Sequence, residues 1–129
     1  MFTLTILTPD GKKHVSELTR ISLPTEDGIR TILTNHMEAV IPVEIGRIKL
    51  IAGKESDNVA ISEGIFYFKE NVAKLFVRTY ELSGEIDLAR AERAKERAEE
   101  RLATELDARE HVEAELALKR AITRLSTRR

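Results

Sequence analysis

The sequence predicts an α+β protein. An N-terminal antiparallel β-sandwich of eight to ten short strands, residues 1–82, precedes a C-terminal antiparallel hairpin of two helices, residues 83–129. Three observations carry this reading. Every aromatic residue lies between Phe2 and Tyr80, and all three prolines precede residue 43. From Glu85 onward there is no glycine, proline or aromatic, yet that third of the chain holds about half of its charged residues. The hydrophobic period also changes, from two before Leu82-Ser83-Gly84 to that of a helix after it.

In the first part, Phe2, Leu4 and Ile6 alternate with threonines, as in a strand with one buried face. Pro9-Asp10-Gly11 then turns the chain, proline presetting φ and glycine accepting φ > 0. A second run, residues 18–23, stops at Pro24 and turns at Glu26-Asp27-Gly28; Ile29, Ile32 and Leu33 make a short third run. Residues 40–50 are apolar but broken by Pro42 and Gly46, which predicts two short strands and not a helix. Ala52-Gly53-Lys54 turns again, Gly64 separates residues 59–61 from 65–68, and Glu70-Asn71 is a hairpin tip before residues 72–80. Short strands with regular turn signals point to a sandwich or barrel.

In the second part, Ala91, Ala94, Ala98, Leu102 and Leu106 share one helical face, and Ala114, Leu118, Ala121 and Leu125 share another. Residues 107–111 interrupt the register, and Asp107 with Glu110 has the form of a capping box that starts a second helix. The break carries neither glycine nor proline, so one long bent helix is the alternative to a hairpin. Seams this rich in alanine favour helix but bury little area, which predicts a weakly held hairpin able to open. Arg90, Arg93, Arg97 and Arg101 form a basic stripe, Glu92, Glu96 and Glu100 an acidic one, and Arg120, Arg124 and Arg128 a basic line on the second helix. Such stripes are ordinarily solvated faces. Two facing lines of guanidinium groups instead require an anion between them, and arginine binds phosphate in bidentate fashion.

The totals exclude several functions. A net charge of −1 argues against a general nucleic-acid binder. The absence of cysteine removes disulfides, thiolate metal sites and thiol catalysis. No apolar run approaches the ~20 residues that span a bilayer, and the N-terminus lacks the basic flank of a signal peptide, so no direct membrane insertion is expected. His14, His36 and His111 have no ligand-type spacing, so no metal site is expected. Neither a phosphate-binding Gly-x-x-x-x-Gly-Lys loop nor a Gly-x-Ser-x-Gly elbow occurs, and no catalytic residue is assigned.

Several stretches, in order along nearly the whole chain, resemble the epsilon subunit of bacterial F-type ATP synthase. They are Thr8-Pro9-Asp10-Gly11, Leu23-Pro24-x-x-Asp27-Gly28, Ile32-Leu33-x-Asn35-His36, Ser62-Glu63-Gly64-Ile65-Phe66, and Glu115 to Ala121 followed by Arg124-Leu125. Ile86-Asp87-Leu88-Ala89-Arg90-Ala91 is similar to that family's nucleotide motif. The resemblance implies that Glu81, Ile86, Asp87, Arg90 and Ala91 surround the base and ribose of one ATP, and that Arg97, Arg120 and Arg124 meet its phosphates. Read from residue type alone, Asp87 is equally a helix N-cap.

The resemblance further implies a non-catalytic rotor subunit with no obligatory cofactor, for which ATP is a regulatory ligand. Its sandwich would bind the gamma subunit and the ring of c subunits, the latter through a loop containing Asn35, His36, Met37 and Glu38. Its hairpin would lie compact on the sandwich or extend to the alpha and beta subunits and brake ATP hydrolysis. The complex would sit peripherally at the cytoplasmic face of the bacterial cell membrane. Thr31, Thr34 and Met37-Glu38 depart from the family's glycine, proline and uncharged residues in that loop. The competing reading is a non-enzymatic adaptor whose hairpin binds a partner coiled coil without a nucleotide.

Overall fold

The structure, a computed structural model, describes residues 1–128; Arg129, the last residue of the expected hairpin domain, lies outside the described residues. Among these, ten strands are followed by a short 3-10 turn and two helices. The strands are β1 (Phe2–Leu7), β2 (Lys13–Leu18), β3 (Arg20–Thr25), β4 (Gly28–Leu33), β5 (Ala39–Val43), β6 (Gly46–Ala52), β7 (Glu55–Ile61), β8 (Gly64–Lys69), β9 (Val72–Val77) and β10 (Tyr80–Leu82). They form two five-stranded sheets, in the order β2-β1-β9-β8-β5 and β10-β7-β6-β3-β4. Pairing is antiparallel throughout except for β1 against β9, which run parallel because the last strand of the first sheet returns beside the first. Phe2, Leu4, Ile6, Phe66 and Phe68 of one sheet pack on Ile21, Leu23, Ile32, Ile48 and Val59 of the other. Phe68 is the aromatic centre, edge-on to Phe2 at 5.3 Å and stacked with Phe66 at 6.4 Å between centroids.

Three element boundaries differ from the sequence expectation. The run 18–23 is divided at Thr19, and β2 is a strand that hydropathy does not reveal. Its inward positions include His14 and Ser16, which hydrogen-bond each other at 3.0 Å, so the apolar alternation is muted. Thr19 stitches the passage between sheets, its N–H and hydroxyl both donating to the Ile51 carbonyl at 2.7 and 2.9 Å. Pro24 does not stop β3. It lies beyond the β3/β6 ladder, which ends at Ser22, so no N–H is missed there. Gly46 makes room for its ring: a Cβ at that position would stand 2.9 Å from Pro24 Cβ and Cγ. Pro42 is likewise inside β5, at a sheet edge. The Glu70-Asn71 tip appears as expected, with φ of 49° and 59°, as a hairpin turn of type I′ requires at both central residues.

The C-terminal part is a hairpin and not one bent helix: α1 (Leu88–Leu102) and α2 (Ala108–Arg128) pack together. Asp87 caps α1, accepting from Arg90 N at 3.1 Å, and Asp107 caps α2, accepting from Glu110 N at 2.8 Å. Leu106 falls in the connection and not on the α1 face. The seam is rich in alanine, as the sequence indicated: Ala91, Ala98, Ala114 and Ala121 are buried together with Leu125, whereas Ala94 and Leu118 are half-buried. A second face of α2 lies on β6 and β7, where Thr123 and Thr127 are buried. Their hydroxyls donate to the carbonyls of Lys119 and Thr123, at 2.8 and 2.7 Å, one turn back. This satisfies the buried polar groups within the helix itself.

A Cβ at Gly64 would collide with the Phe76 carbonyl and stand 2.7 Å from Val77 Cγ1, across the β8/β9 pair. Gly64→Ala should therefore cost about 1–3 kcal/mol in urea unfolding, as overpacking does. The cap at Asp107 is pH-sensitive. Hydrogen bonds from the backbone and then the side chain of Glu110 hold its carboxyl below the ordinary carboxylate range. A depressed folded pKa means that the stabilisation is full above the unfolded value and is lost as pH falls through the lower folded one. Amide exchange in the first turn of α2 should accelerate in that acid window, beyond the intrinsic pH dependence, and Asp107→Ala should abolish the transition.

Candidate functional site

The hairpin lies on the outer face of the second sheet through polar contacts around small side chains. Arg124 Nε of α2 meets Glu81 Oε1 of β10 at 2.6 Å. Lys119 approaches Glu44 at 3.5 Å, and Arg47 of β6 donates to the Ser126 carbonyl at 3.2 Å. The connection from β10 to α1 is held from the sandwich side. Ser83 donates to Asp57 at 3.0 Å, and Lys12 Nζ reaches the Tyr80 carbonyl at 3.2 Å and Glu85 at 3.4 Å while lying 4.3 Å over the Tyr80 ring.

Two clefts open where these elements meet. The first, about 230 Å³, is lined by Glu81, Glu85, Asp87, Arg90, Ala91 and Arg124. It therefore draws on β10, the connection, the first turn of α1 and the last turns of α2. The second, about 310 Å³, lies between the helices and is lined by Ala94, Arg97, Ala98, Arg101, Ala117, Arg120 and Arg124. Arg124 belongs to both walls. Each has the scale of a small-ligand subsite, and taken together they lie within the usual ~300–1,000 Å³. Of the arginines lining them, Arg124 alone is paired with a carboxylate among the described residues.

Glu81, Asp87, Arg90, Ala91 and Arg124, singled out from the sequence, are thus brought into one cleft, and Arg97, Arg120 and Arg124 into its neighbour. Ile86 is buried beside them and lines neither. Asp87 does serve as the N-cap of α1, with its carboxylate at the cleft wall. Glu85 and Arg101 were not singled out for the site. Arg101 was legible as the next member of the Arg90-Arg93-Arg97 stripe, whereas nothing in the sequence distinguishes Glu85. Small side chains leave the room: Ala91, Ala94, Ala98 and Ala117 form walls where larger residues would fill the groove.

The loop residues Asn35, His36, Met37 and Glu38 lie apart from this site, between β4 and β5. Asn35, at φ 68°, exchanges hydrogen bonds of 2.7 and 2.8 Å with Asn71, so the loop is tied to the β8/β9 tip. His36 stands edge-on to Phe68 at 5.9 Å, and Met37 is 76% exposed. Thr34 donates through both N–H and hydroxyl to the Thr19 carbonyl, at 3.2 and 3.1 Å.

A third feature escaped the sequence reading. On the outer face of the first sheet, Leu7, Phe76, Ile65 and Pro42 are neighbours by strand register. Phe76 is 48% and Ile65 50% exposed. Beside them is an open groove of about 550 Å³ lined also by Thr8, Pro9 and Arg78. The signal was the continuous apolar runs Leu75-Phe76-Val77 and Ile65-Phe66, which supply apolar side chains to both faces of a strand. No described helix is long and apolar enough to cross a membrane.

Comparison with known proteins agrees with this architecture. Residues 1–83 match the family model of the ATP synthase delta/epsilon chain β-sandwich domain, and residues 85–128 that of its long α-helix domain. The chain is 38% identical over 124 residues to the ATP synthase epsilon chain of Bacillus licheniformis, covering 96% of this chain and 95% of that protein. It is 39% identical over 127 residues to that of Bacillus cytotoxicus, covering 96% and 93%. Among solved structures, a chain of the Euglena gracilis mitochondrial ATP synthase superposes with a TM-score of 0.76 at 22% identity, over 90% of this chain and 74% of that one. One from the central stalk and c-ring of the Tetrahymena thermophila enzyme gives 0.66 at 15%, over 98% and 96%. These two distant likenesses speak to the fold alone, whereas the models and the Bacillus relatives match both parts in order: the chain belongs to the ATP synthase delta/epsilon chain family.

Proposed function

We propose that this chain is a non-catalytic rotor subunit of an F-type ATP synthase, coupling gamma to the c-ring and regulating ATP hydrolysis through a hairpin that ATP holds closed. The observation that carries the nucleotide part is the pair of adjoining clefts whose walls come from β10, α1 and α2 and share Arg124. A nucleotide with its base and ribose near Ala91 and Asp87 and its phosphates along Arg97, Arg120 and Arg124 would bridge every element that has to separate when the hairpin opens. The donor set suits the ligand, since guanidinium groups meet phosphate oxygens bidentately. A ligand shifts such an equilibrium only by its differential affinity for the two states. Here that difference is large, because opening takes Arg120 and Arg124 away from Arg90 and Glu81. The alanine seam keeps the opposing free energy small, so a modest affinity suffices.

The sandwich supports the other half of the reading. The half-exposed row Leu7, Phe76, Ile65 and Pro42 is the apolar face on which gamma would dock. The tied loop carrying Asn35, His36, Met37 and Glu38 would face the c-ring, and the opened hairpin would reach the alpha and beta subunits. The assembly would then be peripheral at the cytoplasmic face of the bacterial membrane. The chain itself has no reaction to perform in this scheme: it transmits torque and reports nucleotide level.

Isothermal titration of the full chain with ATP tests the nucleotide reading. ATP should bind, and Arg90→Ala should weaken it about ten- to hundredfold, the worth of one charge-assisted hydrogen bond. The double variant Arg120→Ala/Arg124→Ala should weaken it further. Absence of binding at millimolar ATP would leave the ligand-free adaptor as the better account. Phe76→Glu should abolish co-purification with a gamma-type subunit while leaving melting temperature and ATP titration unchanged; retained co-purification removes the apolar row from the interface.

A further inference from the structure

We infer that Glu81 is an internal competitor for the phosphate-binding arginine: its carboxylate occupies Arg124 while the site holds no nucleotide, and a polyphosphate has to displace it. This rests on the nucleotide reading and gives Glu81 a second role, beyond neighbouring the base. The geometry is specific. Glu81 is fixed in the β10/β7 ladder opposite Ala60, so its carboxylate is presented from a rigid strand. It takes Arg124 Nε at 2.6 Å, a short charge-assisted contact, with both side chains partly exposed at 39% and 32%. Arg124 is the residue that lines both clefts, and Glu81 lines the first. The bond crosses from sandwich to hairpin, so it is a latch as well as a counter-charge.

Two consequences oppose each other when the carboxylate is removed. The hairpin loses a docking contact, which for a partly exposed pair is small and is shared with Lys119–Glu44 and Arg47–Ser126. The polyphosphate loses both a competitor for Arg124 and a like charge at close range, which is the larger effect because the anion carries several charges. Glu81 therefore sets the ATP concentration at which the latch is exchanged for the ligand, and it disfavours weakly charged anions that cannot displace a carboxylate.

The test compares Glu81→Gln with Glu44→Gln in the full chain. Glu44 also holds α2 to the sandwich through an ion pair, but with Lys119, and it lines neither cleft. Titration with ATP should give about tenfold tighter binding for E81Q and less than a twofold change for E44Q, with inorganic tripolyphosphate following the same order. Without nucleotide, amide exchange in the last turns of α2 should quicken a few-fold in E81Q. Glu81→Asp, which keeps the charge but shortens its reach, should loosen α2 without tightening ATP tenfold, and covers the case of a poorly folded E81Q. Weaker ATP binding by E81Q, equal tightening by E44Q, or unchanged exchange of α2 in E81Q overturns the competition while wild-type binding keeps the nucleotide reading intact. ATP binding to none of the proteins overturns both.

Discussion

The rest of the structure depends on how α2 is held. One face meets α1 through alanines and the other meets β6 and β7 through threonines that satisfy their own hydroxyls. Among the described residues, Leu125 is the one large apolar side chain that α2 buries, of the kind that supplies ~1.5–3 kcal/mol; the others are alanine and threonine. The helix is therefore positioned by Leu125, by close approach and by a few polar contacts around its edge, Arg124–Glu81 among them. Small side chains produce two effects at once: they let the helices approach, and they leave open the clefts that larger residues would have filled.

The sandwich is built on the opposite principle. Its interior is a set of large aliphatic and aromatic side chains buried to near zero exposure, and its turns are fixed by positive-φ residues and by Thr19 joining the two sheets. The joint between this closely packed base and the hairpin is the connection after β10. The base side of that joint is clamped by Lys12 and Asp57.

Much of this was legible in one dimension, because local chemistry leaves periodic traces. The alternation of Phe2, Leu4 and Ile6, the Glu70-Asn71 tip, the Asp107-Glu110 cap and the alanine seam each follow from forces acting within a few residues. The failures share a cause. β2 was hidden because His14 and Ser16 take inward positions and satisfy each other, and Pro24 was read as a stop because the extent of the β3/β6 ladder is a long-range fact. The buried threonines of α2 were passed over because hydropathy counts a hydroxyl as polar wherever its hydrogen bond goes.

By itself the sequence determined the two-part architecture, the helix starts and the residue types able to meet a polyphosphate, since these rest on composition, period and intrinsic side-chain chemistry. The tertiary structure alone decided that Arg90 and Arg124 share a wall, that Glu81 reaches Arg124 across 43 positions of chain, and that β1 lies parallel to β9 beneath an exposed apolar row. Those relations depend on which surfaces come together when the chain closes on itself, and no local preference encodes the distance between residues that the fold makes neighbours.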